Sequence, residues 1–202
     1  MRIVVAMTGA TGAVFGVRLL EALNVLEVES HLVLSRWAEV TISKETGRTV
    51  REVAALAWAY HSRTNQAAPI SSGSFRHAGM VVAPCSMKTL AAIRFGLADD
   101  LVVRAADVTL KERRPLVLLA RETPLNDIHL ENMLALSRMG AIIAPPVPAF
   151  YQNPQTVDDL VDHTVGRVLD VFGLEMPGLK RWPGGPPDVE LSPAAPPSEA
   201  DT

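Results

Sequence analysis

Five short runs of apolar residues are spaced along the chain, and the segments between them carry apolar residues at helical spacing. After the first run, Val14, Val17 and Leu20 recur at three-residue intervals, as on one face of an α-helix. Apolar runs that alternate with such helices are typical of parallel strands covered on both faces. The pattern therefore predicts an α/β protein with a doubly wound, Rossmann-like parallel sheet. The predicted strands are residues 3–7, 31–34, 80–83, 116–119 and 141–144.

Ligands of such sheets bind outside the carboxyl ends of the strands. We therefore expect the chemistry in the turns that follow Met7, Leu34, Ala83, Ala120 and Ala144. The sheet and these turns form one predicted domain, residues 1–182. Residues 183–202 are rich in Pro, Gly, Ala and acidic residues and offer little to bury, so we predict a disordered tail there.

The composition of the chain limits the classes of partner and the compartment that we expect for this domain. The net charge is −3, whereas a nucleic-acid binder needs a basic face, so we expect a small-molecule partner and no nucleic acid. A single cysteine excludes an intramolecular disulfide and fits a reducing, cytoplasmic setting. We find no signal-type segment and no apolar stretch of the roughly 20 residues that cross a bilayer, and expect no membrane association. The histidines show no metal-ligand spacing, so we predict no metal site.

The turn after the first strand contains Gly9 and Gly12 and leads into a helix. Glycines let the backbone approach a phosphate, and a helix N-terminus favours the phosphate charge. The spacing is not G-x-G-x-x-G, and Ser35 follows the second strand where a dinucleotide site has an acidic residue. The turn therefore fits a mononucleotide phosphate, although an ordinary strand-to-helix turn accounts for the same residues.

Two more turns at this edge carry polar groups. After the third strand, the hydroxyls of Ser86 and Thr89 stand at the start of a helix, ready for a ligand. The neighbouring Cys85 has no histidine in this segment to activate it, and we interpret it as a packing residue. After the fourth strand, Arg121 can bind a phosphate bidentately and Glu122 can move protons.

Eight motifs, in order, give the chain a specific resemblance. They are GATGA at 9–13, SSGSF at 71–75, PCSMKT at 84–89, RAADV at 104–108, LKER at 110–113, RE at 121–122, IHLENML at 128–134 and PAFY at 148–151. From the first strand to about Trp182, the chain resembles the UbiX-type flavin prenyltransferase family. The nearest resemblance is to the B subunit of nonoxidative hydroxyarylic acid decarboxylases.

This resemblance implies a flavoprotein fold that binds FMN, which enters reduced and leaves as prenylated FMN for a UbiD-type decarboxylase. The implied FMN-binding residues are Gly9, Ala10, Thr11, Ser35, Ser86, Met87, Lys88, Thr89 and Arg121. The implied second substrate is dimethylallyl monophosphate, held in sites shared between the subunits of a dodecamer. The implied substrate-binding residues are Arg104, Lys111, Glu122, Tyr151 and Arg167.

The implied reaction joins the dimethylallyl group to N5 and then C6 of the flavin, and phosphate leaves without a metal ion. The implied catalytic residues are Glu45, Lys111, Glu122 and Arg121. Cationic side chains would stabilise the departing phosphate, and either Glu45 or Glu122 would remove the ring proton. Tyr151 and Trp182 would offer aromatic faces to an allylic cation.

Several features bear on other interpretations. The D-D-x-x-D pattern at 158–162 is typical of magnesium-dependent prenyl transfer, but it opens a predicted helix, where the dipole favours acidic residues. Thr11 replaces the serine that is commoner in the family, and its extra methyl group is expected to alter the reaction rate or the preferred allylic substrate.

Cysteine decarboxylases are disfavoured because they carry asparagine where this chain has Lys88. A non-catalytic flavin carrier or assembly subunit remains the alternative, and a monophosphate or diphosphate donor remains open.

Overall fold

The computed structural model describes residues 1–179 and Arg181. The predicted tail, residues 183–202, and Trp182 lie outside the described residues. The described elements are β1 (Arg2–Met7), α1 (Ala13–Val25), β2 (Glu29–Leu34), α2 (Arg36–Thr46), α3 (Val50–Ala54), β3 (Ala59–His61), a 3-10 turn (Pro69–Ser71), β4 (Met80–Cys85), α4 (Met87–Phe95), α5 (Leu101–Lys111), β5 (Leu116–Ala120), α6 (Asp127–Arg138), β6 (Ala141–Ile143) and α7 (Val157–Asp170).

The strands form one parallel sheet in the order β3-β2-β1-β4-β5-β6. The predicted doubly wound α/β fold and its five strands are confirmed. The edge strand β3 was missed because its three residues form no apolar run, and Tyr60 at its centre is 43% exposed. An edge strand is covered less than a central one and need not be continuously apolar.

Both faces of the sheet are buried, as the apolar runs predicted. Alternate residues of β1 point to opposite sides, so Ile3 and Val5 join one core while Val4 and Ala6 join the other. Helices α1, α2 and α7 cover the first face, and α4, α5 and α6 cover the second. The chain therefore changes direction between the adjacent strands β1 and β4, and a ligand crevice is expected at their carboxyl ends.

Helix α1 approaches this point of the sheet closely because Gly16 has no side chain. A Cβ atom at Gly16 would overlap the carbonyl oxygen of Ala83 and lie 2.8 Å from Cε of Met7. The glycine therefore brings the start of α1 close to the ends of β1 and β4.

Among the described helices, none combines the length and the hydrophobicity needed to cross a membrane.

Candidate active site at the carboxyl edge of the sheet

The ends of β1 and β4 are joined by a threonine hydroxyl. Thr8 is 1% exposed, and its Oγ1 donates to the carbonyl oxygen of Pro84 at 2.7 Å. Thr8 Oγ1 also accepts from the backbone N–H of Ser86 at 2.8 Å. Sequence reasoning assigned no role to Thr8, because a threonine at the end of a strand is an ordinary residue in a turn.

The start of α4 presents the donors that the sequence predicted. Ser86 is the N-cap residue, and its Oγ accepts from the backbone N–H of Thr89 at 3.3 Å and donates to Thr89 Oγ1 at 3.1 Å. Met87 is partly exposed and Lys88 is exposed, and Lys88 forms no ion pair within the described residues. A free cation and a helix N-terminus together favour an anionic ligand.

Arg121 lies next to this helix start. Its backbone N–H donates to the carbonyl oxygen of Cys85 at 3.1 Å, at the point where β5 leaves the sheet. Its guanidinium is exposed and has no ion-pair partner among residues 1–179 and Arg181. The carboxylate of Glu122 accepts from the N–H of Thr123 at 3.1 Å and is also exposed. A cation and a proton acceptor therefore stand side by side at the edge.

The turn after β1 differs from its expected form. Gly12, in the left-handed region at φ 104°, starts α1, and the N–H groups of Gly12 and Ala13 each donate to Oε2 of Glu45 at 2.8 Å. The expected phosphate at this helix start would meet a carboxylate, and it could use these two amides only if Glu45 moved away. Thr11 is exposed beside them.

Ser35 and Trp37 complete this side of the edge. The N–H of Ser35 donates to the carbonyl oxygen of Met7 at 3.0 Å, and its Oγ accepts from Ala38 N–H at 3.2 Å to cap α2. Trp37 is 66% exposed and packs closely on Gly9. A Cβ atom on Gly9 would overlap the Cβ atom of Trp37. The sequence analysis missed Trp37. An aromatic residue two positions after Ser35, at the predicted ligand edge, was a signal for a candidate site residue.

Lys111 lies at the opposite edge of the sheet. It ends α5, and the chain then enters the amino end of β5, whose five residues span about 16 Å before Arg121. Lys111 pairs with Glu112 and lowers the pKa of that carboxyl below its ordinary value. Within one chain, Lys111 therefore lies apart from Arg121 and Glu122.

Arg104 supports a loop in this structure. Its Nε donates to the carbonyl oxygen of Ser71 at 3.1 Å, and its Nη1 pairs with Asp107 at 2.8 Å. Arg114 holds the same loop through the carbonyl oxygens of Gly73 and Phe75, at 2.9 and 2.8 Å. Arg104 thus has protein partners where a substrate phosphate was expected.

Tyr151 and Arg167 meet at His163. The hydroxyl of Tyr151 lies 3.1 Å from Nε2 of His163, and Arg167 follows one turn later on α7 and pairs with Asp170 at 2.8 Å. His163 and Arg167 line a groove together with Ala144. Burial lowers the pKa of His163, and the charge of Arg167 lowers it further against the opposing charge of Asp170. The sequence analysis gave no role to His163, because only the fold brings it to Tyr151.

The other candidate groups have structural roles. Cys85 is fully buried, and burial raises the pKa of its thiol to about 12, so it is not a nucleophile at neutral pH. In the D-D-x-x-D motif, Asp159 accepts from the N–H groups of Gln155 and Thr156, and Asp162 pairs with Arg18 at 2.6 Å. In the part of the chain that the structure describes, no three His, Cys, Asp or Glu side chains are grouped to hold a metal ion.

A doubly wound sheet with hydroxyls, a helix start and free cations at its carboxyl edge is the arrangement of a nucleotide-binding α/β protein. The sequence profile of the family described as Flavoprotein matches residues 1–169. The chain is 66% identical over 185 residues to a probable UbiX-like flavin prenyltransferase of Streptomyces sp. strain D7, covering 91% of this chain and 92% of the relative. The chain belongs to the family of UbiX-like flavin prenyltransferases.

Two crystal structures share the fold closely. One is AnUbiX in complex with FMN and dimethylallyl pyrophosphate, with a TM-score of 0.90 and 59% identity, covering 92% of this chain and 98% of that one. The other is a dodecameric FMN-dependent UbiX-like decarboxylase from Escherichia coli O157:H7, with a TM-score of 0.90 and 63% identity, covering 91% and 100%. The family resemblance drawn from the motifs is confirmed.

Proposed function

We propose that the protein transfers a dimethylallyl group from dimethylallyl monophosphate to reduced FMN, releasing phosphate without a metal ion. The product is prenylated FMN for a UbiD-type aromatic acid decarboxylase, and we propose the cytoplasm as the place of reaction. The observation that carries the proposal is the 59% identity and TM-score of 0.90 to a protein crystallised with both FMN and dimethylallyl pyrophosphate.

The residues at the carboxyl edge fit FMN. Within the described residues, the hydroxyl proton of Thr89 meets no acceptor, and Lys88 and Arg121 have no ion-pair partner, so both are available to a ligand. Such donors match a phosphate and the polar edge of a flavin. We propose that they bind FMN together with Ser35, Met87 and the turn Gly9, Ala10 and Thr11. Reduced FMN supplies a nucleophilic ring nitrogen, N5, and an aromatic carbon, C6.

A second set of residues binds the dimethylallyl phosphate. We propose that Arg121 and Arg167 neutralise the phosphate and that Tyr151 contacts it, because preorganised positive charge lowers the barrier to phosphate departure. Lys111 belongs to the same set but lies at the other edge of its own chain, so a neighbouring subunit supplies it. The dodecameric relative supports an assembly in which such a shared site forms, and we propose a dodecamer here.

The proton released from the flavin ring needs an acceptor. Oε2 of Glu45 already accepts two backbone hydrogen bonds at the start of α1, whereas Glu122 is exposed beside the exposed Arg121. We therefore propose Glu122 as the base and Glu45 as a residue that fixes the turn after β1.

Anaerobic incubation of the protein with reduced FMN and dimethylallyl monophosphate, followed by mass spectrometry, tests this function. We expect flavin heavier by the elements C5H8 and an equal amount of inorganic phosphate, with no effect of a metal chelator. A parallel reaction with the diphosphate defines the donor. If FMN binds but is recovered unchanged with either donor, prenyl transfer is wrong and the flavin-carrier alternative is supported.

A further inference from the structure

Thr8 joins the two halves of the proposed FMN site, which are the turn after β1 and the start of α4. The paired register of β1 and β4 runs from Val4 opposite Met80 to Ala6 opposite Val82. Beyond that point Pro84 has no N–H to donate, and the strands lead to helices on opposite faces of the sheet. Thr8 bridges this gap. Its backbone N–H donates to the carbonyl oxygen of Pro84 at 3.2 Å, and its hydroxyl donates to the same oxygen and also accepts from Ser86 N–H, so only the hydroxyl reaches the start of α4.

The bond to Ser86 bears on ligand binding because Ser86 is the N-cap of α4. Its hydroxyl is fixed by Thr89, accepting from the backbone N–H and donating to Oγ1. The hydrogen-bonded chain thus runs from Thr8 through Ser86 to Thr89, whose hydroxyl proton meets no acceptor within the described residues and is available to a ligand. Displacing the Ser86 amide would reorient the Thr89 hydroxyl, so that its proton no longer points at the ligand.

We propose that Thr8 is a positioning residue for FMN. Its buried hydroxyl fixes the spacing between the turn at residues 9–11 and the helix start at residues 86–89, so that both segments hold one flavin. Thr8 itself touches no ligand and acts through Ser86. This inference rests on the proposed function.

A matched pair of variants separates positioning from general stability. Thr8→Val keeps the shape but removes the hydroxyl, while Thr109→Val removes an equally buried hydroxyl that donates to Ala105 within α5 at 2.7 Å. We expect Thr8→Val to weaken FMN binding about tenfold, because FMN must then order a helix start that the hydroxyl no longer holds in place. Thr109→Val should leave the Kd for FMN unchanged, and Thr8→Ser should restore it.

Two further readouts accompany the Kd. Hydrogen exchange of the Ser86 amide should accelerate in Thr8→Val but not in Thr109→Val, and the visible spectrum of bound flavin should shift only in Thr8→Val. If Thr8→Val does not fold, Thr8→Ala, which cannot overpack the site, carries the test with the same expected loss. Equal FMN affinity in Thr8→Val or Thr8→Ala and in Thr109→Val overturns the inference. A wild-type protein that binds no FMN instead overturns the proposed function.

Discussion

The carboxylate of Glu45 accepts a hydrogen bond from the backbone N–H of Gly12 at 2.8 Å, and the Ala13 N–H donates to the same oxygen. A residue of α2 therefore caps α1 across 33 positions of sequence. The carboxylate satisfies two amides that the helix itself cannot, and its charge complements the positive end of the helix dipole.

This cap predicts the behaviour of Glu45 variants. Glu45→Ala should lower the free energy of unfolding by about 1 kcal/mol, a typical cost of losing an N-cap, whereas Glu45→Gln keeps an acceptor and should lose less. Urea titration measures both. In the prenylation assay, Glu122→Gln should lose far more activity than Glu45→Gln because Glu122 is the proposed base. The reverse order would make Glu45 the base.

The separation of Lys111 from Arg121 predicts complementation between subunits. Lys111→Ala and Arg121→Ala should each abolish prenyl transfer when every subunit carries the change. Co-expression of the two variants with different tags, followed by isolation of doubly tagged assemblies, should restore about a quarter of wild-type activity, because random mixing pairs the two intact residues in that share of shared sites.

The matching control is an assembly of differently tagged Lys111→Ala subunits alone, which should stay inactive. If the mixed assemblies are inactive as well, Lys111 and Arg121 do not serve one site across an interface.

The sequence was most informative about the fold because the central strands of a parallel sheet are buried on both faces and read as continuous apolar runs. It also located Ser86 and Arg121, since both directly follow such strands. Strand β3 carries no run of this kind and was missed.

Relationships between distant elements were harder to predict. The capping of Gly12 by Glu45 and the contact of Tyr151 with His163 depend on how helices pack, which local patterns do not encode. The position of Lys111 is different, because a helix that leads into a parallel strand must end at the strand's amino edge. The topology could have predicted its separation from Arg121. The resemblance implied a site shared between subunits but did not assign Lys111 to the neighbouring one.

The close contact at Gly16 predicts a large loss of stability. Gly16→Ala would drive a methyl group into the Ala83 carbonyl and Met7, and backbone cannot yield as a side chain does. We expect it to lower the free energy of unfolding by about 2–3 kcal/mol and to weaken FMN binding by shifting α1. Gly47→Ala is the comparison, because Gly47 has open space around it and only its φ of 66° is unfavourable, at about 1 kcal/mol. Calorimetry would rank the two, and an equal loss would contradict the packing argument.

The exposed Thr11 predicts an effect on turnover without an effect on stability. Thr11→Ser keeps the hydroxyl and removes one methyl group from an exposed residue, so the unfolding midpoint and the Kd for FMN should stay unchanged. Any difference should appear in kcat or in the choice between allylic donors, which steady-state assays with two donors would measure. A change in FMN affinity would instead place the methyl group against the flavin.

The histidines of β3 and of the loop before β4 predict a fall in stability on acidification. Burial, with the charge of His31 2.9 Å away, lowers the pKa of His61 below its ordinary value of 6.5, and burial lowers that of His77. The unfolded chain therefore binds more protons below pH 6.5, so the stabilisation is complete above that pH and is lost as the pH falls through the folded-state pKa values.

Arg2 and Arg114 add positive charge near these histidines, while Glu29 accepts from His31 at 3.1 Å. Urea unfolding between about pH 7.5 and about pH 5, a range that brackets the ordinary histidine pKa, should show this loss, and His61→Gln should flatten the slope. A slope unchanged by that substitution would exclude His61 as a source.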